Sequence, residues 1–190
     1  MTTIRGAAFL DRDGTIIEDV EYISRPEHVR LLVGAATAIA ALNEARIPVI
    51  VVSNQSGIGR GYFTYDAYER VQARVEEVLR ENGAQLDATY ICPHAPDREA
   101  PCPCRKPGIE LFRTAARDHH LDLARSWYVG DRWRDVEPAQ TLGGTGRLVP
   151  TRSTPPEELV RAREEDVARD SLTEVAEEMI HALTGDASSR

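Results

Sequence analysis

Lysine is nearly absent from this chain of 190 residues. Of its 23 basic residues only Lys106 is a lysine, and all the others are arginines. A lysine kept at one position in an otherwise arginine-only chain suggests a site that needs a compact ammonium group. Chance is the alternative, and composition alone does not separate the two.

Cysteine is also scarce. The chain has three cysteines, and all of them lie between Cys92 and Cys104. An odd number of thiols confined to one short stretch makes a poor disulfide framework. Their placement is typical instead of a metal-binding loop.

Long apolar runs and an excess of positive charge are absent as well. The longest apolar run, Val33–Leu42, is too short for a transmembrane helix, which needs roughly 18 residues. The formal net charge is −8 and the isoelectric point is about 5.2, which argues against non-specific binding to nucleic acid or to acidic membranes. The first residues show no secretory pattern, so we expect a cytoplasmic protein.

The apolar pattern alternates short buried strands with amphipathic helices. We predict strands at Arg5–Leu10, Pro48–Ser53, Ala88–Cys92, Ser126–Gly130 and Gly146–Val149. We predict helices at Gly34–Arg46, Thr64–Asn82, Gly108–His120 and Val136–Leu142. This alternation predicts an α/β fold with a doubly wound, mostly parallel, Rossmann-like sheet.

A helical tail, residues 154–184, follows the last predicted strand. Two capping boxes are expected to begin its helices, one from Thr154 to Glu157 with Pro155 at the first helical position, and one from Ser171 to Glu174. Residues 166–168 between them suggest a short edge strand. Because the chain shows neither a repeat nor a long linker, we expect residues 1–190 to form one domain.

Carboxylates follow two of the predicted strands. Asp11 and Asp13 flank Arg12 directly after the first strand, and Asp131 follows the fourth. In a doubly wound sheet the ligand lies beyond the carboxyl ends of the strands. Carboxylates crowded at that edge need a cation, and a hard divalent ion such as Mg²⁺ prefers oxygen ligands.

Groups suited to an anion fall at the same edge. Ser53 and Asn54 end the second strand and could donate to phosphate oxygens, while Lys106 could neutralise the same anion. Each signal alone is more often an ordinary cap or turn. Their occurrence in order, each at or after the end of a separate strand, favours one shared phosphate site.

The cysteine-rich loop, residues 92–104, offers a candidate zinc site. Its four donors are Cys92, His94, Cys102 and Cys104. Three thiolates and one imidazole form a standard tetrahedral set, and a site with all four positions filled by protein is structural. The alternative is three free or buried thiols with His94 at the surface.

Four segments of the chain resemble the four signature motifs of the haloacid dehalogenase-like (HAD-like) phosphatases: Asp11-Arg-Asp-Gly-Thr15, Ser53-Asn54, Lys106 and Gly130-Asp-Arg-Trp-Arg-Asp135. The resemblance extends from about Arg5 to Pro150. It implies that Asp11 is the nucleophile that forms an aspartyl-phosphate, and that Asp13 is first the general acid and then the general base.

The same resemblance implies the ligands of the site. Ser53 and Lys106 would hold the transferred phosphoryl group. Mg²⁺ would be bound by Asp11, Asp131 and the backbone carbonyl of Asp13, with Asp135 outside the direct ligands.

The zinc loop resembles that of a narrower group, the heptose-bisphosphate phosphatases and the histidinol phosphatases. In that group the loop shapes the substrate entrance and delivers a pair that corresponds here to Arg105 and Lys106. Two further features resemble the heptose-bisphosphate enzymes. They are the segment Asn54-Gln55-Ser56-Gly57-Ile58-Gly59-Arg60-Gly61 and the pair Asp19 and Tyr22. The compact zinc loop resembles the histidinol enzymes instead, and Asp19 with its acidic neighbours could receive an amine.

No large insertion interrupts the chain, so we expect a site rimmed by loops without a separate cap domain. Such a site suits a small phosphorylated sugar. If that sugar carries a second phosphate, as a heptose bisphosphate does, we expect Arg60, Arg105 and Arg132 to bind it. We expect a monomer that binds neither nucleic acid nor membranes. The alternatives to a heptose-bisphosphate phosphatase are a histidinol-phosphate phosphatase and a zinc-stabilised binding module that has lost its catalytic activity.

Overall fold

Five parallel strands form the sheet at the centre of the fold. The computed structural model describes residues 5–97 and 102–185. The strands are β1 (Ala8–Leu10), β2 (Val49–Asn54), β3 (Ala88–Cys92), β4 (Trp127–Gly130) and β5 (Thr145–Leu148). Their spatial order is β3-β2-β1-β4-β5, which confirms the predicted doubly wound α/β class.

Helices cover both faces of this sheet. They are α1 (Ala35–Glu44), α2 (Ser56–Gly59), α3 (Tyr65–Glu81), α4 (Glu110–His119), α5 (Trp133–Val136), α6 (Pro138–Leu142), α7 (Pro156–Glu164) and α8 (Leu172–Gly185). Short 3-10 turns lie at Pro26–His28 and Leu123–Arg125. Among the described residues, no helix has the length and apolar character needed to cross a membrane.

Successive side chains of β1 serve opposite faces of the sheet, as the period of an extended strand requires. Leu10 joins the core that is shared with α1, α3 and α8. Phe9 packs on the other face, edge-to-face with Phe112 of α4 at 5.2 Å and stacked on Tyr128 at 5.3 Å between ring centroids. The buried strand residues therefore anchor both helical layers.

The register of the central strands determines where the polar residues meet. Leu10 pairs with Val51 of β2 on one side and with Val129 of β4 on the other. The backbone N–H of Asp11 still donates to the carbonyl of Val129 at 2.9 Å. Because β1, β2 and β4 are neighbours that end together, their carboxyl ends form one crevice.

The helix predicted at 136–142 is wrong in its bounds. The structure has α5 beginning at Trp133 and a separate α6 beginning at Pro138. Proline lacks a backbone N–H and fits the first turn of a helix, so Pro138 begins a new helix and does not extend the first. This break leaves α5 as a single turn directly after β4.

The tail differs from its predicted caps in detail. Helix α7 begins at Pro156 with Pro155 as its N-cap, so the capping box predicted at Thr154 is wrong. The hydroxyl of Thr154 instead donates to the backbone carbonyl of Asp131 at 2.6 Å. Ser171 does accept from the N–H of Glu174 at 3.2 Å, but the Glu174 carboxylate accepts from the N–H of Asp170.

Residues 166–168 do not form the predicted strand. Ala168 makes a single, isolated parallel bridge to Leu148 of β5, and this bridge does not continue into a ladder. The chain turns sharply at Asp166, whose φ of 54° lies in the left-handed region. A turn at that point leaves too few extended residues for a strand.

Candidate active site

An ion pair beneath the crevice joins the loop before α4 to the end of β1. The ammonium of Lys106 lies 2.7 Å from Asp11 Oδ1 and 2.8 Å from Asp135 Oδ1, and it donates to the backbone carbonyl of Val52 at 2.5 Å. Only 3% of Lys106 is exposed. Burial opposes the charge of the ammonium, but Asp11 and Asp135 outweigh it and raise the pKa of Lys106.

Asp131 joins the two carboxylates that contact this ammonium group to form a buried cluster. One oxygen each of Asp11, Asp131 and Asp135 lies within 4.8 Å of the others. Burial, and then the charges of Asp135 and Asp11, raises the pKa of Asp131 to about 7. The cluster holds more negative charge than one lysine balances, and its donors are the hard oxygen atoms that Mg²⁺ prefers.

Two glycines make this crowding possible. A Cβ on Gly14, whose φ is 85°, would lie 2.5 Å from Asp131 Oδ2, and a Cβ on Gly130 would lie 2.3 Å from the Cβ of Asp135. Contacts under 3 Å are forbidden by hard-sphere sterics. Both carboxylates therefore approach backbone that only glycine leaves open.

Hydrogen bonds from the segment before α7 orient Asp131. The hydroxyl of Thr151 donates to Asp131 Oδ2 at 2.9 Å. The hydroxyl of Thr154 donates to the backbone carbonyl of Asp131 and accepts from the N–H of Thr151. Sequence reasoning assigned neither threonine a role in the site, because the contacts span 20 and 23 residues of sequence.

Asp13 lies in the same crevice but outside the carboxylate cluster. Arg12 Nη2 lies 3.1 Å from its Oδ1 and 3.0 Å from its Oδ2, and Gln55 Nε2 donates to Oδ2 at 2.7 Å. The Asp13 side chain is 22% exposed, whereas that of Arg12 is fully buried. These contacts fix the plane of the Asp13 carboxylate at the wall of the cavity.

The polar end of β2 holds the lysine and the glutamine in place. Asn54 Nδ2 donates to the backbone carbonyl of Lys106 at 3.1 Å, and its Oδ1 accepts from the Lys106 N–H at 3.0 Å. Gln55 Nε2 also donates to Ser53 Oγ at 2.8 Å. The amide of Asn54 thus binds the backbone of Lys106, a role that sequence reasoning missed.

A cavity of about 320 Å³ opens above Asp11 and Asp13. The predicted substrate-binding residues that line it are Asp19, Tyr22, Ser53, Asn54, Gln55, Ser56, Arg60, Arg105 and Arg132. Lys106 is not among the lining residues because it lies beneath the floor. Arg134 also lines the cavity and was not predicted.

The arginines of the cavity differ in their partners. Arg132 pairs with Glu158 of α7 at 3.3 Å, and Arg60 pairs with the exposed Asp97 at the same distance. Arg105 donates to the backbone carbonyl of His94. Burial, followed by the charge of Arg134, lowers the pKa of Arg105. The rim therefore concentrates positive charge that an anion would relieve.

Acidic and aromatic groups complete the wall. Asp19 and Glu21 line the cavity, and burial followed by the charge of Asp13 raises the pKa of Asp19. Tyr22 adopts a φ of 58° and packs edge-to-face on Tyr62, with 4.7 Å between ring centroids. The segment after β1 is thus folded against the segment after β2.

The predicted zinc donors converge at one point beside the cavity. His94 Nδ1 lies 3.6 Å from Cys92 Sγ, 3.1 Å from Cys102 Sγ and 3.4 Å from Cys104 Sγ. Zinc bonds of about 2.3 Å to sulfur and about 2.05 Å to nitrogen place these two kinds of tetrahedral ligand atom roughly 3.6 Å apart, and the three separations lie at or somewhat below that distance. Residues 98–101 of this loop lie outside the described residues.

Comparisons with known proteins identify the family. Residues 103–175 match the HAD-hydrolase-like family model. A D-glycero-beta-D-manno-heptose-1,7-bisphosphate 7-phosphatase from Mesorhizobium japonicum is 42% identical over 72% of this chain and 65% of its own length. A D-glycero-D-manno-heptose-1,7-bisphosphate 7-phosphatase from Thermosynechococcus vestitus is 40% identical over 77% of this chain and 80% of its own. The chain thus spans just under two thirds of the Mesorhizobium relative.

A solved structure agrees with these relatives. The D,D-heptose 1,7-bisphosphate phosphatase from B. bronchiseptica, crystallised with magnesium and phosphate, superposes with a TM-score of 0.83 at 32% identity. The match covers 93% of this chain and 98% of that one. The chain therefore belongs to the heptose-bisphosphate phosphatase family of HAD-like hydrolases.

Proposed function

We propose that this phosphatase removes the 7-phosphate of D-glycero-D-manno-heptose 1,7-bisphosphate. The observation that carries the proposal is the identity of 40 to 42% with relatives of that name. The cavity supports it, because a volume of about 320 Å³ suits a small ligand and its walls carry four arginines.

In the first step Asp11 would attack phosphorus. A bond forms between an Asp11 carboxylate oxygen and phosphorus, the bond from phosphorus to the sugar oxygen breaks, and Asp13 gives a proton to that oxygen. The contact between Lys106 and Asp11 supports this assignment, because the ammonium lies against the attacking carboxylate, where it can also balance the phosphoryl charge.

In the second step water would attack phosphorus of the aspartyl-phosphate. The Asp13 carboxylate takes a proton from that water, the bond between phosphorus and Asp11 breaks, and inorganic phosphate leaves. Both aspartates then have the protonation states with which the cycle began. Ser53, whose hydroxyl lies at the end of β2, would donate to a phosphoryl oxygen throughout.

The carboxylate cluster fits a magnesium ion. Asp11 and Asp131, with the backbone carbonyl of Asp13, would hold it, and Asp135 is close enough to assist. Bound Mg²⁺ would neutralise charge on the phosphoryl oxygens. Burial, and then the charges of Asp135 and Asp11, raise the pKa of Asp131 to about 7, and a bound cation would relieve the repulsion among these carboxylates.

Zinc in the loop of residues 92–104 would be structural. The four donors come from the chain itself and leave no position for substrate. Arg105 and Lys106 follow the last donor, Cys104, directly. A metal that fixes this loop would therefore fix both basic side chains.

Histidinol phosphate is the second candidate substrate. The observation that favours it is the presence of Asp19 and Glu21 in the cavity wall, where they could bind an amine. Against it, Arg60, Arg105 and Arg134 would repel the same amine, whereas a bisphosphate offers them an anion. The second phosphate group of the heptose bisphosphate is therefore our reason for proposing it as the preferred substrate.

Asp11→Asn should reduce turnover to less than about 1% of the unchanged enzyme, because the amide cannot act as the nucleophile. The substitution is nearly isosteric, so the thermal transition should show a folded protein. Asp170→Asn, at an exposed position, is the matched control and should keep full activity. Residual turnover of a few per cent in protein free of the unchanged enzyme would rule out Asp11 as the nucleophile.

Lys106→Arg should lower kcat/KM by about 100-fold although the charge is kept. The ammonium occupies a buried space between two carboxylates and a carbonyl, which a planar guanidinium does not fit. Circular dichroism and steady-state kinetics should be measured on the same preparation. A folded variant with near-normal kcat/KM would show that the lone lysine is accidental.

The purified protein should contain about one zinc per chain by elemental analysis. His94→Ala should lower both the zinc content and the melting temperature, because bound metal contributes folding free energy. The control is His181→Ala at an exposed position of α8, which should change neither. Zinc-free protein whose three thiols react freely would refute the site.

The heptose bisphosphate should exceed histidinol phosphate in kcat/KM by at least about tenfold, equivalent to roughly 1.4 kcal/mol. Both substrates should be assayed side by side with one enzyme preparation. A ratio near one, or a reversed ratio, would overturn the proposed substrate and leave the phosphatase chemistry untouched.

A further inference from the structure

Arg12 is a buried cation that the proposed reaction does not use. It lies between Asp11 and Asp13 in sequence and is 0% exposed. A guanidinium buried this deeply and kept charged needs a defined partner.

That partner is the carboxylate of Asp13. Nε lies 3.2 Å from Oδ1, and Nη2 lies 3.1 Å from Oδ1 and 3.0 Å from Oδ2, so the guanidinium meets both oxygens. The guanidinium also lies over the ring of Tyr68, with 5.2 Å from Cζ to the ring centroid. Within the described residues, Asp13 is its only ion-pair partner.

The arrangement restricts rotation of the carboxylate. A guanidinium that contacts both oxygens fixes the carboxylate plane, which a single point charge does not. Tyr68 holds the guanidinium from the side, and Gln55 donates to Oδ2 at 2.7 Å. Each carboxylate oxygen therefore accepts two contacts: Oδ1 from Nε and Nη2 of Arg12, and Oδ2 from Nη2 of Arg12 and from Gln55.

We infer that Arg12 is a positioning residue that orients the Asp13 carboxyl for proton transfer to the leaving group. The inference rests on the proposed role of Asp13 as the general acid. Arg12 keeps all its own protons: the proton that reaches the sugar oxygen comes from Asp13, and Asp13 regains it from water. Proton transfer depends steeply on geometry, so a loosened Asp13 loses rate without losing binding.

The test compares two leaving groups. A sugar alkoxide must be protonated as it departs, whereas the phenolate of p-nitrophenyl phosphate leaves without a proton. Because kcat/KM reports the steps up to departure of the leaving group, it isolates the acid role of Asp13. Arg12→Lys should lower kcat/KM for the heptose bisphosphate by about 100-fold and for p-nitrophenyl phosphate by less than about threefold.

Arg147→Lys is the matched control. Arg147 also pairs with a carboxylate, Glu178 at 2.8 Å, and lies over an aromatic ring, that of Trp127 at 5.0 Å. It lies on β5, away from the cavity. Its substitution should affect the two substrates equally, since it removes the same kind of contact without touching Asp13.

A double-mutant cycle separates this inference from the proposed function. In the Asp13→Asn background, Arg12→Lys should cause no further loss that depends on the leaving group. If Asp13→Asn itself lowers kcat/KM equally for both substrates, the proposed role of Asp13 as the general acid fails. If Asp13→Asn discriminates between them and Arg12→Lys does not, only the role of Arg12 fails.

Tyr68→Leu provides a second variant if Arg12→Lys does not fold. It removes the ring beside the guanidinium and leaves both charges, so it should produce a smaller loss with the same dependence on leaving group. An equal loss for both substrates in the folded variants, or a faster reaction with the heptose bisphosphate, would overturn the inference.

Discussion

The contact of the Lys106 ammonium with Asp11 and Asp135 is the interaction on which the rest of the site depends. It lies below the cavity floor, at 2.7 and 2.8 Å, where water does not screen it. Removing one partner of such a buried group typically costs several kcal/mol, about 3 to 5, because the other charges are left uncompensated. With Asp131 added, the cluster remains negative, which is the condition for binding a divalent cation beside a phosphoryl group.

The ammonium reaches this position because two separate parts of the chain hold its backbone. Asn54 at the end of β2 clamps the N–H and carbonyl of Lys106, and Cys104 of the donor cluster lies two residues before it. The same short segment brings Arg105 to the cavity wall. Loop and strand therefore both position Lys106, and a metal bound by the donor cluster would act on the chemistry through this segment.

The motifs at the strand ends allowed much of the fold and site to be predicted. Buried strands read as continuous apolar runs, and their ends carry Asp11, Ser53 and Asp131, so the crevice followed from topology. The four candidate zinc donors, which the structure brings together, were identified by residue type and spacing. These features are local in sequence, and local patterns are what a single sequence records.

The remaining contacts could not be predicted because they join distant residues or depend on burial. Glu158 pairs with Arg132 across 26 residues, and its carboxylate also accepts from the backbone N–H of Trp133. The motif around Asp131 contains Arg132 and Arg134, but nothing in it indicates that both side chains line the cavity. Arg12 was visible only as a charge between two aspartates, and its complete burial appears only once the chain is folded.

The stereochemistry at phosphorus tests the central claim, that Asp11 takes the phosphoryl group before water does. The measurement uses a heptose substrate whose 7-thiophosphate is made chiral with oxygen isotopes and is hydrolysed in isotopically labelled water. Two in-line displacements, first by Asp11 and then by water, predict retention of configuration. Inversion would show that water attacks directly, and it would contradict the account.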